Sequence, residues 1–146
     1  FRIGGYYVVS RLLEGEFLDY NAAIPKVSKT TVKINTRSLT DAVERTSLLI
    51  SDRLRSPIRL SAMDQKVQLN CSTSMGKAHD EVDCEMSGEA VSMGFNNKYL
   101  MDALKASDCD MVKLEINGAL SPMRILPLEG ESFLFLVLPV RVKNDD

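Results

Sequence analysis

Hydrophobic and polar positions alternate through most of this chain, and two segments of helical spacing divide it into repeating parts. Residues 1–13 (FRIGGYYVVSRLL) read as a hairpin, with Gly4-Gly5 supplying positive φ in the turn and the β-rich run YYVVSRLL after it. Residues 14–28 (EGEFLDYNAAIPKVS) lose any period at Gly15, Asn21 and Pro25, which predicts a connector and a domain boundary. Residues 30–36 (TTVKINT) then alternate as a strand, and Ser38 is placed to cap a helix running to about Arg53. Leu39, Val43, Thr46 and Ile50 share one face of that helix.

Three strands are predicted next, at 57–63, 66–72 and 77–86, separated by turns such as Asp64-Gln65 and closed by Ser87-Gly88. The pattern then restarts. Residues 91–95 read as a strand, Asn96 or Asn97 as a helix cap, and 99–107 as a short helix with Leu100, Ala103 and Leu104 inward. Three more strands follow, at 111–116, 121–126 and 132–138. LTDAV at 39–43 and LMDAL at 100–104 lie 61 residues apart in equivalent places, so the chain reads as a duplicated strand-helix-three-strand unit. Two such units, pairing their antiparallel sheets edge to edge with both helices on one face, give an α+β layer architecture.

Composition narrows the function. The 146 residues suffice for one domain, or for one plus a fragment of a neighbour, and 45% hydrophobic with 26% charged residues is ordinary for a globular fold. No apolar run reaches the roughly 20 residues of a membrane-spanning helix, so no membrane contact is expected. The net charge of −2 excludes coating nucleic acid by bulk charge, so any DNA contact is local or geometric. Cys71, Cys84 and Cys109 are odd in number and form no CxxC, and no signal-peptide pattern is present; a reducing cytoplasm fits best. Phe1 is not an initiator Met and already reads as strand, as in a piece of a longer polypeptide.

Catalytic signals are weak. The one histidine, His79, lies in the acidic strand HDEVDCE with no Ser or Cys nucleophile at a recognisable spacing, which leaves a small hydrolase as a distant reading. His79, Asp80, Asp83 and Cys84 are close in sequence, yet strand alternation splits them between faces, and no metal is expected. Neither GxxxxGK[ST] nor GxGxxG occurs, so no nucleotide or other cofactor is expected.

Surfaces carry more. Leu48 falls opposite the apolar stripe, among Asp41, Glu44 and Asp52; one exposed leucine is ordinary, but with Leu49 it is a candidate subunit contact. Lys98 and Lys105 share the outward face of the second helix, while Arg45, Arg53 and Arg55 ride on or just beyond the first. Acidic neighbours, Asp102 among them, dilute that positive potential. FLFLVL at 133–138 is apolar on both faces, which predicts burial of Phe133, Phe135 and Val137. Pro139 is expected to stop ladder pairing and leave Val140, Arg141 and Val142 at a strand exit. Tyr99, on the flank of its helix, lines the same opening, a groove suited to a short apolar peptide.

EGEFLDYNAAIP, RTSLL, GFNNKYLMDAL and LVLPVR, in that order and across the whole chain, resemble the bacterial sliding clamp family, the β subunit of DNA polymerase III. The resemblance implies that 1–25 is the end of the family's middle domain and 26–146 its complete third domain, a DNA-clamp fold. It implies a non-catalytic ring dimer around duplex DNA that tethers the polymerase III α subunit, the clamp loader and repair polymerases through QLxLF-like motifs. Leu48 and Leu49 then correspond to the subunit contact, and Arg45, Arg53, Arg55, Lys98 and Lys105 to the DNA-facing side. The peptide pocket takes Leu18, Ala22 and Ala23 of FLDYNAA, Asn96 and Tyr99 of GFNNKY, and Leu120 and Pro122 of ALSPM. Leu136, Leu138, Pro139, Val140 and Arg141 of LVLPVR complete it.

Two departures stand out: Leu18 replaces the proline of a common FPDY, and Ala22 replaces a larger, often basic residue, so the pocket rim is less polar here. The chain also continues past Arg141 with an acidic tail. The competing reading is a stand-alone peptide-binding or dimerisation module unrelated to DNA.

Overall fold

In a computed structural model, which describes residues 1–51 and 56–142, alternation becomes strand and helical spacing becomes helix. β1 (Arg2–Ile3) and β2 (Tyr6–Tyr7) pair across Gly4-Gly5, but residues 8–13, expected to continue as strand, do not. The connector contains only a short helix, α1 (Tyr20–Ala23), whose cap Asp19 accepts the Asn21 N–H. The first unit comprises β3 (Thr30–Asn35), α2 (Thr36–Ser47), β4 (Ile58–Met63), β5 (Lys66–Thr73), β6 (Gly76–Asp83) and β7 (Glu85–Gly88). The second comprises β8 (Val91–Phe95), α3 (Asn97–Ala106), β9 (Met111–Ile116), β10 (Met123–Pro127), β11 (Phe135–Val137) and β12 (Pro139–Val140).

The duplication is real, and its geometry differs from simple edge-to-edge pairing. Two five-stranded antiparallel sheets run β11-β10-β9-β3-β7 and β12-β8-β4-β5-β6. Each unit therefore gives its first strand to the other unit's sheet. β3 lies between β9 and β7, and β8 between β4 and β12, so their backbone groups are satisfied on both sides. α2 packs over β5 and β6, α3 over β11, and the helices pack on each other. One continuous core results, with Val32, Ile34, Leu39, Val43, Leu60 and Leu114 fully buried.

Several boundaries move. Asn35, not Ser38, caps α2: its Oδ1 accepts the Ser38 N–H at 2.9 Å, so the helix starts before Ser38. The helix ends at Ser47 rather than near Arg53. Near that end, the Thr46 and Ser47 hydroxyls donate back to the carbonyls of Ala42 and Val43 at 2.7 and 2.6 Å, a pattern that weakens helix continuation. The single strand expected at 77–86 breaks at Cys84, where the chain leaves one sheet for the other. The strand expected at 132–138 shrinks to β11, an edge strand, so Phe133 and Phe135 are only half-buried and stack at 5.0 Å, whereas Val137 is buried. Pro139 does not end pairing: it sits opposite Phe95 in β12, an edge position where a missing N–H is tolerated.

The crossing at Cys84 is pinned by the β4–β5 turn. Asp64 and Gln65 have φ of 51° and 60°, as a primed two-residue turn requires. The Gln65 carbonyl accepts the Cys84 N–H at 2.9 Å. Its side-chain amide accepts the Met86 N–H at 2.7 Å and donates to the Met86 carbonyl at 3.0 Å. Gly88 completes the crossing: with φ of 101°, a Cβ there would lie 2.0 Å from the Lys29 carbonyl oxygen.

Because β3 belongs to one half by sequence and to the other by pairing, Ile34→Ala is expected to cost about 2–5 kcal/mol. Calorimetry should still show a single transition. Two separable transitions would mean the halves fold independently.

Candidate functional site

An open groove of about 530 Å³ lies where the start of α3, the exit of α2, the start of β4 and β12 meet. Each wall has a local cause. Asn96, extended at φ −70° and ψ 123°, accepts the Lys98 N–H at 2.9 Å and so starts α3 at the groove floor. Leu100, Ala103 and Leu104 take the core face of α3, which leaves Tyr99 on the flank, 64% exposed. On the opposite side, Ser47 accepts the Ile50 N–H at 2.8 Å and turns the chain along the groove. β12 is seated by Gly94: a Cβ there would lie 2.2 Å from Val142 Cγ2 and 2.7 Å from the Val140 carbonyl oxygen.

Four of the expected pocket residues, Asn96, Tyr99, Val140 and Arg141, line this groove together. Ile50, Ser51, Ser56, Pro57, Asn97 and Lys98 also line it and were not among those expected. The helical spacing places Ile50 on the core stripe, which it does touch, and the sequence marks Pro57 only as the start of a strand. The lining combines an apolar strip from Ile50, Pro57, Tyr99 and Val140 with the polar heads of Asn96, Asn97, Lys98 and Arg141. That mixture can hold apolar side chains while hydrogen-bonding a peptide backbone or carboxylate.

The other expected pocket residues lie outside this lining. Leu18, Ala22 and Ala23 are exposed on the connector and α1, and Leu120 is exposed in the turn before β10. Pro122 is half-buried beside it. Leu136 is half-buried in β11 opposite Arg124, Leu138 is exposed between β11 and β12, and Pro139 is half-buried in β12.

Leu48 is the C-cap of α2 and 80% exposed, as its place opposite the apolar stripe requires; Leu49 is half-buried. Beside α2 runs β6, the outermost strand of its sheet. Among the basic candidates, Lys98 and Lys105 are exposed at the two ends of α3. Lys105 shares a second cavity, of about 400 Å³, with Arg37, Asp108 and Asp110, so its surroundings carry both signs of charge. Arg45 is ion-paired with Asp80 at 2.7 Å. Arg53 and Arg55 lie outside the described residues, as does the tail beyond Val142.

His79 Nδ1 sits 2.8 Å from Asn70 Oδ1 on the exposed face of β6, while Asp80 faces α2. Among the described residues, no group of three or more His, Cys, Asp or Glu side chains is placed to hold a metal. All three cysteines are free. Burial pushes the Cys71 thiol up, and burial followed by the charge of Asp83 does the same for Cys84. Both shifts disfavour the thiolate form.

The DNA polymerase III beta subunit, C-terminal domain family matches residues 21–141. The chain is 35% identical over 143 residues to the beta sliding clamps of Staphylococcus aureus and Staphylococcus epidermidis, covering 97% of this chain and 38% of each relative. It thus spans little more than a third of their length. The DNA polymerase sliding clamp from Bacillus subtilis superposes with a TM-score of 0.86 at 32% identity, over 91% of this chain and 36% of that one. The DNA polymerase III beta subunit of Thermotoga maritima does so with a TM-score of 0.84 at 28% identity, over 90% and 36%.

Two outcomes test this geometry. Iodoacetamide at pH 8 should modify Cys71 and Cys84 more slowly in the folded chain than after unfolding; equal rates would contradict their burial. Gly94→Ala should displace β12, with chemical-shift changes concentrated at Asn96, Tyr99 and Val140. An undisturbed spectrum there would show that β12 is not held by close approach.

Proposed function

Because the chain belongs to the DNA polymerase III beta subunit, C-terminal domain family, we propose that it is the third domain of a bacterial DNA sliding clamp, with residues 1–25 ending the domain before it. The full-length subunit pairs with a second copy as a ring around duplex DNA. It tethers the replicative polymerase, the clamp loader and repair polymerases in the cytoplasm, and it catalyses nothing itself.

The observation that carries this reading is the groove that gathers Asn96, Tyr99, Val140 and Arg141, residues from two of the family motifs far apart in sequence. Its apolar strip suits the leucines and aromatic ring of a QLxLF-like segment, and the polar heads of Asn96, Asn97 and Arg141 suit the glutamine and backbone. Lys98 and Lys105 provide weak, salt-sensitive phosphate contacts. Weak contacts suffice when escape requires the ring to open, so a chain of net charge −2 can serve DNA. The exposed side chains of Phe1, Tyr6, Val9, Leu12 and Phe17 favour this over a stand-alone module, since a preceding domain would cover them.

Loading the full-length protein by its cognate loader onto nicked circular DNA, then linearising the circle, tests the mechanism. The clamp should persist on circles and slide off linear DNA; equal retention on both would mean ordinary binding. Tyr99→Ala should weaken a QLxLF peptide by about 1–3 kcal/mol in calorimetry. Unchanged affinity would remove Tyr99 from the pocket. Replacing Leu48 and Leu49 with aspartate should turn the dimer into monomers on sedimentation, and an intact dimer would refute the subunit-contact assignment.

A further inference from the structure

The last turn of α2 is tied to its sheet by a residue that the resemblance places on the DNA side. Arg45 Nε donates to Asp80 Oδ2 at 2.7 Å, while Asp80 Oδ1 accepts the backbone N–H of Glu81 at 2.9 Å. Both carboxylate oxygens are thus engaged, and the aspartate is fixed on β6, the outermost strand of its sheet. Asp80 faces α2, whereas His79 and Glu81 on either side of it are exposed. The hydrogen bond from Arg45 holds the Asp80 carboxyl below its ordinary range, so the pair is charged at neutral pH.

Arg45 is engaged through its main chain as well. Its carbonyl accepts the Leu48 N–H at 3.3 Å, the bond that closes the helix at its C-cap. One residue therefore grips Leu48 through its backbone and the edge strand through its side chain. The guanidinium is 59% exposed, and an ion pair so placed adds little to global stability; what it sets is geometry. Its Nε donor is already committed to a carboxylate, and Asp41, one turn earlier, adds further negative charge, so the positive field that Arg45 offers a phosphate is reduced.

We infer that Arg45 is a positioning residue for the subunit contact: its ion pair with Asp80 fixes the end of α2 against β6, so that Leu48 and the strand edge meet a second subunit as one surface. This inference rests on the reading of Leu48 as a contact residue. It separates the first helix from the second, leaving Lys98 and Lys105 as the described members of the candidate set for the DNA side.

The test is sedimentation equilibrium on the full-length protein carrying Arg45→Met, Asp80→Asn, or the exchange Arg45→Asp with Asp80→Arg, beside a Leu48→Asp control. Each single change should weaken dimerisation by about tenfold, the scale of coupling between contacting residues. Melting temperature and QLxLF-peptide affinity should stay at the parent values, and the exchange should recover most of the loss. A loss matched by a fall in melting temperature, with no recovery on exchange, would overturn the inference in favour of a general structural role. Parent-like dimers in the pair variants with dissociation in Leu48→Asp would overturn it and leave the Leu48 reading intact. A parent-like dimer in Leu48→Asp would remove that reading and this inference together. Parent-like dimerisation combined with a flatter salt dependence of DNA retention in Arg45→Met would return Arg45 to the DNA face.

Discussion

The exchange of first strands between two like units is the constraint on which this structure depends. β3 pairs with β9 along all six of its residues and with β7 on its other side; β8 does the same between β4 and β12. Neither half can close its own sheet without the other. The shared core follows directly, because Val32 and Ile34 are carried by one unit and buried beneath the sheet of the other. Two units of like element order thereby share one core.

The same exchange places the two candidate surfaces. In each unit the chain must leave one sheet and join the other, at Cys84 in the first and at Leu138 in the second. The second crossing brings β12 beside the start of α3 and makes the groove, with Gly94 allowing the backbones to approach. The first crossing frees β6 as an outer edge before the chain departs, next to the end of α2 and its exposed Leu48. Groove and edge are thus the two outlets of one topological device.

Much of this was legible in the order of residues. Alternation marked most strands, the stripes at Leu39, Val43 and at Leu100, Leu104 marked both helices, and the spacing of LTDAV and LMDAL exposed the duplication. Pairing partners were not legible, because alternation says which face of a strand is buried and nothing about which strand lies beside it. The break at Cys84 was hidden because both sides of it keep the same alternation. Asn35 and Ser38 are not distinguishable as caps in the sequence, since both residue types cap helices and only the backbone shows whose N–H is being satisfied. The groove is half visible: Tyr99 and Val140 stand out as misplaced apolar residues, whereas Ile50 satisfies the core stripe, which conceals that it also lines the groove. The Arg45–Asp80 pair is not legible either, because the two residues lie 35 positions apart and meet only once α2 packs on β6.

The side chain of Gln65 has a consequence for valence. Its amide occupies both the N–H and the carbonyl of Met86 in β7, an edge strand of the first sheet. At the corresponding edge of the second sheet, β12 begins with a proline that has no N–H to offer. Each sheet is therefore blunted at one end and open at the other, at β11 and at β6. A further strand can therefore add to each sheet at one edge only, which gives strand addition a single direction on each.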